Sequence, residues 1–236
     1  MPRILCDDEL AFLRTIHDNP ADDLPRLVFA DWLEETGDPM LTIRAQLIRS
    51  QILAAGGNHP ESMQARAFGE SILQTHTIEW WKELPEIDGV VWGWLERGFP
   101  AHAIVAREAW LRSYEAIFDL LPITSVRVGS IHLADLEELL DRGVPQNLRK
   151  LSVGDPRRVR YSERVDAGTG RSEYRRDPFE SIDERVCLRS VQRMISVGLH
   201  RTLTDLTIDG LRHYSSEVQE RLYEYFPPLV LRRSRR

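Results

Sequence analysis

The chain reads as α/β: an N-terminal helical bundle followed by a short, irregular strand–helix array with a parallel sheet (α+β when the two parts are taken together). Three observations predict this. Helix-start prolines, glycine stops and helical apolar spacing fill roughly the first 85 residues. After Pro85 short apolar strand patterns appear and recur at near-constant spacing. Helical stretches lie between those strands, and strands alternating with helices build parallel sheets.

The first helix runs from Asp7 or Asp8, either of which can cap it, to about Asp18, with Leu10, Phe12, Leu13 and Ile16 inward. Asn19-Pro20 breaks it. The second opens at Leu24-Pro25, since proline suits the first turn, where its missing N–H has no partner to lose. Asp22 and Asp23 precede it at the positive end of the helix dipole. Gly37 closes it and Pro39 blocks its continuation. Asp31, between Ala30 and Trp32, reads as partly buried, with Arg26 or Arg49 as its partner. A third helix spans about Met40 to Ala55, with Ile43, Leu47, Ile48 and Ile52 inside. Gly56, Gly57 and Asn58 stop it, and Pro60 starts a fourth that reaches toward Trp81. Four helices with short connections make a small bundle. Trp80 and Trp81 read as packing residues at its edge. The domain division predicted is 1–85 and 86–236.

Val90 to Leu95 reads as a strand leading into Arg97-Gly98-Phe99. Then an L-x-x-L-x-L form recurs. Ile123, Val126 and Val128 give one copy, and Leu148, Leu151 and Val153 give the next. Leu203, Leu206 and Ile208 follow after a gap longer than two of these intervals, and Phe226, Leu229 and Leu231 after one more interval. Counting back one interval from Ile123 gives a degenerate first copy at Phe99, His102 and Ile104. Helices are expected at Glu108 to Leu121, Ala134 to Asp141, Ile182 to Val197 and Ser216 to Tyr225. Ser181 and Glu184 have capping-box spacing for the third of these. Units of this kind cannot bury their own apolar face and must stack. The array is therefore leucine-rich-repeat-like, though the usual Asn or Cys ladder position is not consistently filled.

The long gap holds an insert at about 154–179. It contains Arg157, Arg158, Arg160, Arg164, Arg171, Arg175 and Arg176, with Tyr161 and Tyr174 among them. Residues 166–170 look like a hairpin turn. Five acids bring the net charge of the insert to +2 (seven arginines against five acids). Arginine with tyrosine suits protein contact and also phosphates and bases.

One run carries a family resemblance. Residues 25–39, from Pro25 through Arg26-Leu27-Val28-Phe29-Ala30-Asp31-Trp32-Leu33-Glu34-Glu35 to Gly37-Asp38-Pro39, follow Phe12, Leu13 and Ile16. They precede Leu47-Ile48-Arg49 and Gln51. This roughly fifty-residue region resembles the bacterial repeat-companion domain, a short helical module placed before leucine-rich-repeat-like sequence. Arg97-Gly98-Phe99-Pro100 fits the same resemblance. Phe29 stands where that family usually has Tyr, and Leu47 where it has Phe. The resemblance implies a repeat-bearing bacterial protein with no catalytic residues to carry over.

Composition sets bounds. Hydrophobic residues are 42% and charged residues 29%, ordinary for a soluble globular protein. No apolar run approaches the roughly 20 residues of a membrane span, and the N-terminus turns acidic too early for a secretory signal. Two distant cysteines, Cys6 and Cys187, form neither a disulfide framework nor a metal quartet, so a cytoplasmic location is expected. The net charge of −6 argues against bulk nucleic-acid binding. Residues 1–40 hold ten acids and three arginines, while residues 232–236 hold four arginines. No nucleophile-elbow, P-loop, zinc-protease or CxxC pattern occurs. The seven histidines show no metal-ligand spacing.

The expected function is therefore non-enzymatic: a scaffold or accessory subunit that binds another protein, with no catalytic, cofactor or metal residues and no membrane contact. Strand alternation puts Arg127, Ser152 and Thr207 on the partner face, and the insert adds Arg158, Arg160, Tyr161, Tyr174 and Arg175. The alternative is an accessory subunit of a nucleoprotein complex, touching nucleic-acid phosphates through the 157–176 and 232–236 arginines. An enzyme using Asp31 is the third reading.

Overall fold

The computed structural model describes residues 6–119, 121–129, 131, 133–154, 184–208, 211, 214–226 and 231–232. The chain forms two compact units. The first holds residues 1–103 and 113–124, the second 104–112 and 125–236.

The first unit opens with α1 (Asp7–Asp18), α2 (Leu24–Glu35), α3 (Pro39–Ala54) and α4 (Pro60–Trp81). Their ends follow from local chemistry. Asp7, Asp8 and Glu9 fill the first turn of α1 rather than capping it; the N-cap is Cys6. The carboxylate of Asp22 accepts from the Leu24 amide at 2.9 Å, at the start of α2. Gly37 adopts φ +72°, the left-handed conformation in which glycine carries no Cβ penalty. Asp38 then caps α3, accepting from the amides of Met40 and Leu41. Pro39 thus begins a helix as well as ending one.

Leu13, Ile16, Phe29, Ala30, Leu33, Ala45, Ile48 and Phe99 form the core of this unit, and Leu47, Ile72 and Trp80 form a second cluster. Phe12, Phe29 and Trp32 meet at centroid distances of 5.6 to 5.8 Å, within the range of favourable aromatic pairs. Helices α3 and α4 approach closely at Gly69, where a Cβ would stand 2.8 Å from the Ser50 Oγ. Arg26 is buried beneath Phe99, and its Nη1 donates to the Asp22 carbonyl at 2.7 Å. Burial pushes this guanidinium below its ordinary pKa and Arg97 adds in the same direction, against Asp23, Glu96 and Asp22.

Beyond α4 the expected single strand is two: β1 (Val90–Trp92) and β2 (Leu95–Glu96). Gly93 and Trp94 lie between them, and a Cβ on Gly93 would meet His102 at 2.5 Å. Trp94 stacks on the same His102 ring, 4.1 Å between centroids. β2 pairs antiparallel with β3 (Phe99–Pro100), Glu96 opposite Phe99. Arg97 (φ +52°) and Gly98 (φ +81°) make the two-residue turn between them. Two positive φ values are what a type I′ hairpin demands. A Cβ on Gly98 would lie 2.2 Å from Ile48 Cγ1. Gln51 clamps the hairpin, its Oε1 accepting from the Gly98 amide at 2.7 Å and its Nε2 donating to the Leu95 carbonyl at 3.3 Å.

The chain passes from the first unit to the second within β4 (His102–Ala106) and returns at Ser113, a non-helical residue inside α5 (Arg107–Phe118). The second unit then continues with β5 (Ser125–Gly129), a 3₁₀ turn at Leu133–Asp135, α6 (Leu136–Arg142) and β6 (Lys150–Val153). After the insert come α7 (Glu184–Ser196), α8 (Leu199–Thr202), β7 (Asp205–Ile208), α9 (Ser216–Tyr225) and β8 (Leu231–Arg232). β4, β5, β6, β7 and β8 lie side by side in chain order. β5 with β6, β6 with β7, and β7 with β8 are parallel. The mixed helix and strand content and the mostly parallel sheet are those of an α/β protein. One face is aliphatic: Val126, Val128, Leu151, Val153, Leu206 and Ile208 are all buried. Trp110, Leu139, Val191, Met194, Leu199, Val218 and Leu222 supply buried helical side chains to the same unit. Trp110 is fully buried and its indole N–H donates to the Leu139 carbonyl at 3.0 Å. Ser190 fastens α7 to the start of α6, donating to the Ala134 carbonyl and accepting from the Glu137 amide, both at 3.2 Å.

Candidate interaction surface

Period-2 alternation turns every second strand residue to the face opposite the aliphatic one. Parallel pairing then sets those residues in rows. Val126, Leu151 and Leu206 share one register, and Val128, Val153 and Ile208 another, so the residues between them also align. Arg127 stands opposite Ser152, Ser152 opposite Thr207, and Thr207 opposite Arg232 along the backbone. The three strand residues singled out from sequence therefore lie on neighbouring strands in one row. Arg127 is exposed, and Ser152 and Thr207 are partly exposed. A second row holds Ser125, Lys150 and Asp205. Lys150 and Asp205 face each other with opposite charge, the favourable arrangement for cross-strand neighbours. Thr207 Oγ1 donates to Asp205 Oδ1 at 3.3 Å.

The exposed and partly exposed members of these rows bring a guanidinium, an ammonium, a carboxylate and two hydroxyls onto one face, while Ser125 is buried. All can donate or accept hydrogen bonds. Arg158, Arg160, Tyr161, Tyr174 and Arg175, and the arginines of 233–236, lie outside the described residues.

Two sequence expectations need correcting. The degenerate first copy places His102 and Ile104 inward. β4 instead buries Ala103 and Val105 and exposes Ile104, which is 39% accessible. The Thr124 amide donates to the Ala101 carbonyl, whereas the sequence frame sets Pro100 against Thr124, so the true frame is shifted by one. Asp31 is exposed, with 65% of its side chain accessible. It pairs with Arg49 Nη2 at 2.5 Å, and Glu34 takes the other guanidinium nitrogen. Partial burial opposes the charge of Arg49, but its hydrogen bonds to Asp31 and Glu34 raise its pKa overall. Asp31 is thus part of a surface ion-pair network joining α2 to α3. Finally, His17, which carries no local sequence signal, is a buried residue. Its Nε2 lies 2.8 Å from the Phe118 carbonyl, an acceptor, so that nitrogen carries the proton.

Among the described residues, no group of three or more His, Cys, Asp or Glu side chains is placed to hold a metal ion. Among the same residues, no helix is long and apolar enough to cross a membrane. Comparison with protein-family profiles, curated proteins and solved structures gives no match for this chain.

Proposed function

We propose that this protein is a non-enzymatic interaction module of the repeat-companion kind. In this reading the second unit is a short leucine-rich-repeat-like array. Its polar strand face, centred on Arg127, Ser152 and Thr207, grips a segment of a partner protein. The observation that carries the reading is the in-register row. Three polar side chains from strands far apart in sequence fall side by side, while their sequence neighbours are buried. A sheet that merely closed a core would not need guanidinium, ammonium and hydroxyl groups aligned on its other face. Parallel repeats present such rows as extended recognition surfaces.

The test is affinity capture from the native host with the wild-type chain and with a variant carrying Arg127→Glu and Thr207→Lys, each with and without nuclease, read by mass spectrometry. The proposal requires a protein that the wild type captures through nuclease treatment and the variant loses. Capture equal for both chains removes the strand face from consideration. Partners that vanish with nuclease favour instead the accessory role in a nucleoprotein complex.

A further inference from the structure

The first unit contains a cavity of about 310 Å³, bounded by α1, α3, the end of α4, the β2–β3 hairpin and residues 116 and 121. Leu13, Trp80, Trp81, Leu95, Pro100 and Leu121 form its apolar walls. Leu13, Trp80, Pro100 and Leu121 are buried, whereas Pro85 and Ala116, also on the lining, are exposed and put solvent at its rim. A ligand can therefore reach apolar walls from water. An engineered apolar cavity of about 150 Å³ takes up benzene. This one has roughly twice that volume, room for two fused rings.

The charged groups on the lining, Glu9, Arg44 and Glu83, set the charge of the ligand. Arg44 lies 3.7 Å from Glu83 and over the rings of Phe29 and Phe99, 5.9 and 5.7 Å from their centroids. Glu9, only 1% exposed, has a partner as well. Each charge on the lining is thus already answered within the protein. A charged ligand would have to bury its head without a counterion or break one of these pairs, and either costs affinity. A flat apolar ring system meets neither cost. It gains dispersion contact with the leucines and offset aromatic contact with the indoles of Trp80 and Trp81. We propose that this cavity binds a neutral molecule built on two fused aromatic rings. The site lies in the first unit and does not depend on the strand-face reading above.

The experiment uses the full chain and four probes: 2-naphthalenemethanol, its charged analogues 2-naphthylmethylammonium and 2-naphthoate, and the one-ring benzyl alcohol. Binding is followed by calorimetry. The naphthyl alcohol should bind saturably, at least about tenfold more tightly than benzyl alcohol, because the second ring adds buried apolar area. It should exceed both charged analogues by at least about tenfold, because their heads find no free counterion. Ala116→Phe puts a ring at the rim of the cavity from an exposed position, so thermal scanning should find the fold intact while the naphthyl alcohol binds at least about tenfold more weakly. Trp81→Ala removes one indole wall and should weaken the same probe at least about threefold. The proposal fails if no probe binds, if benzyl alcohol or either charged analogue binds as tightly as the naphthyl alcohol, or if both substitutions leave its affinity unchanged.

Discussion

Gly98→Ala isolates the contact on which the first unit's hairpin depends. Two costs add at this position. At φ +81° an alanine pays the left-handed penalty, roughly 1–2 kcal/mol. Its Cβ would also sit 2.2 Å from Ile48 Cγ1, inside a packed core, and overpacking costs about 1–3 kcal/mol. The expected loss is therefore about 2–5 kcal/mol. Gly37→Ala separates the two terms, since Gly37 has φ +72° but no atom within 4 Å of an added methyl, and it should lose only the first, about 1–2 kcal/mol. For a chain of this length the difference corresponds to a melting temperature lower by about 2–12 °C. Urea denaturation followed by tryptophan emission is the assay, because Trp32, Trp80, Trp81, Trp92 and Trp94 all belong to the first unit. Ile48→Ala in the Gly98→Ala background supplies a cycle: removing Cγ1 should restore about 1–3 kcal/mol relative to additivity. If Gly98→Ala costs no more than Gly37→Ala, or the cycle shows no coupling, the hairpin does not rest against Ile48 as described.

Three further outcomes are expected. Gln51→Ala removes the acceptor of the Gly98 amide and the donor to Leu95 and should cost about 1–3 kcal/mol in the same assay; Gln51→Glu keeps the acceptor and should cost less. Asp31→Ala should change stability by under about 1 kcal/mol, since its ion pair is exposed, and raising the salt concentration should shrink even that. Arg127→Glu should weaken partner capture while thermal scanning finds stability within about 0.5 kcal/mol of wild type, because the side chain is exposed.

Local chemistry makes the helices of the first unit legible. Pro25, Pro39 and Pro60 stand at helix starts and Gly37 at a positive φ, and each signal acts within a turn of its own position. The second unit's register is legible because Val126, Leu151 and Leu206 are alike and alternate with polar residues. β4 is easily misframed because two apolar residues next to it, Phe99 and Pro100, belong to the hairpin. Phe99 packs in the first unit's core, 5.8 Å from Phe29. Counting them as strand residues selects the wrong parity, and the small buried Ala103 does not stand out against the exposed Ile104. Asp31 misleads for a related reason: helix neighbours differ by about 100° around the axis, so buried Ala30 says little about the next position. No local rule reaches the cavity, whose lining joins Glu9, Arg44, Trp81 and Leu121 from widely separated positions.

One short run of α3 is occupied in holding the first unit together. Within four consecutive positions of α3, Ile48 packs under Gly98, Arg49 binds Asp31 and Glu34 of α2, the Ser50 side chain sits against Gly69 of α4, and Gln51 holds the hairpin backbone. Between them the four residues contact three elements, α2, α4 and the β2–β3 hairpin, so the run is restricted at every position by geometry. In the proposed reading, specificity resides where side chains are not needed for packing. In the second unit those positions are the strand residues facing away from the aliphatic layer. The Arg127 substitution therefore questions the proposed strand face without questioning the fold, whereas Gly98 and Gln51 do the reverse.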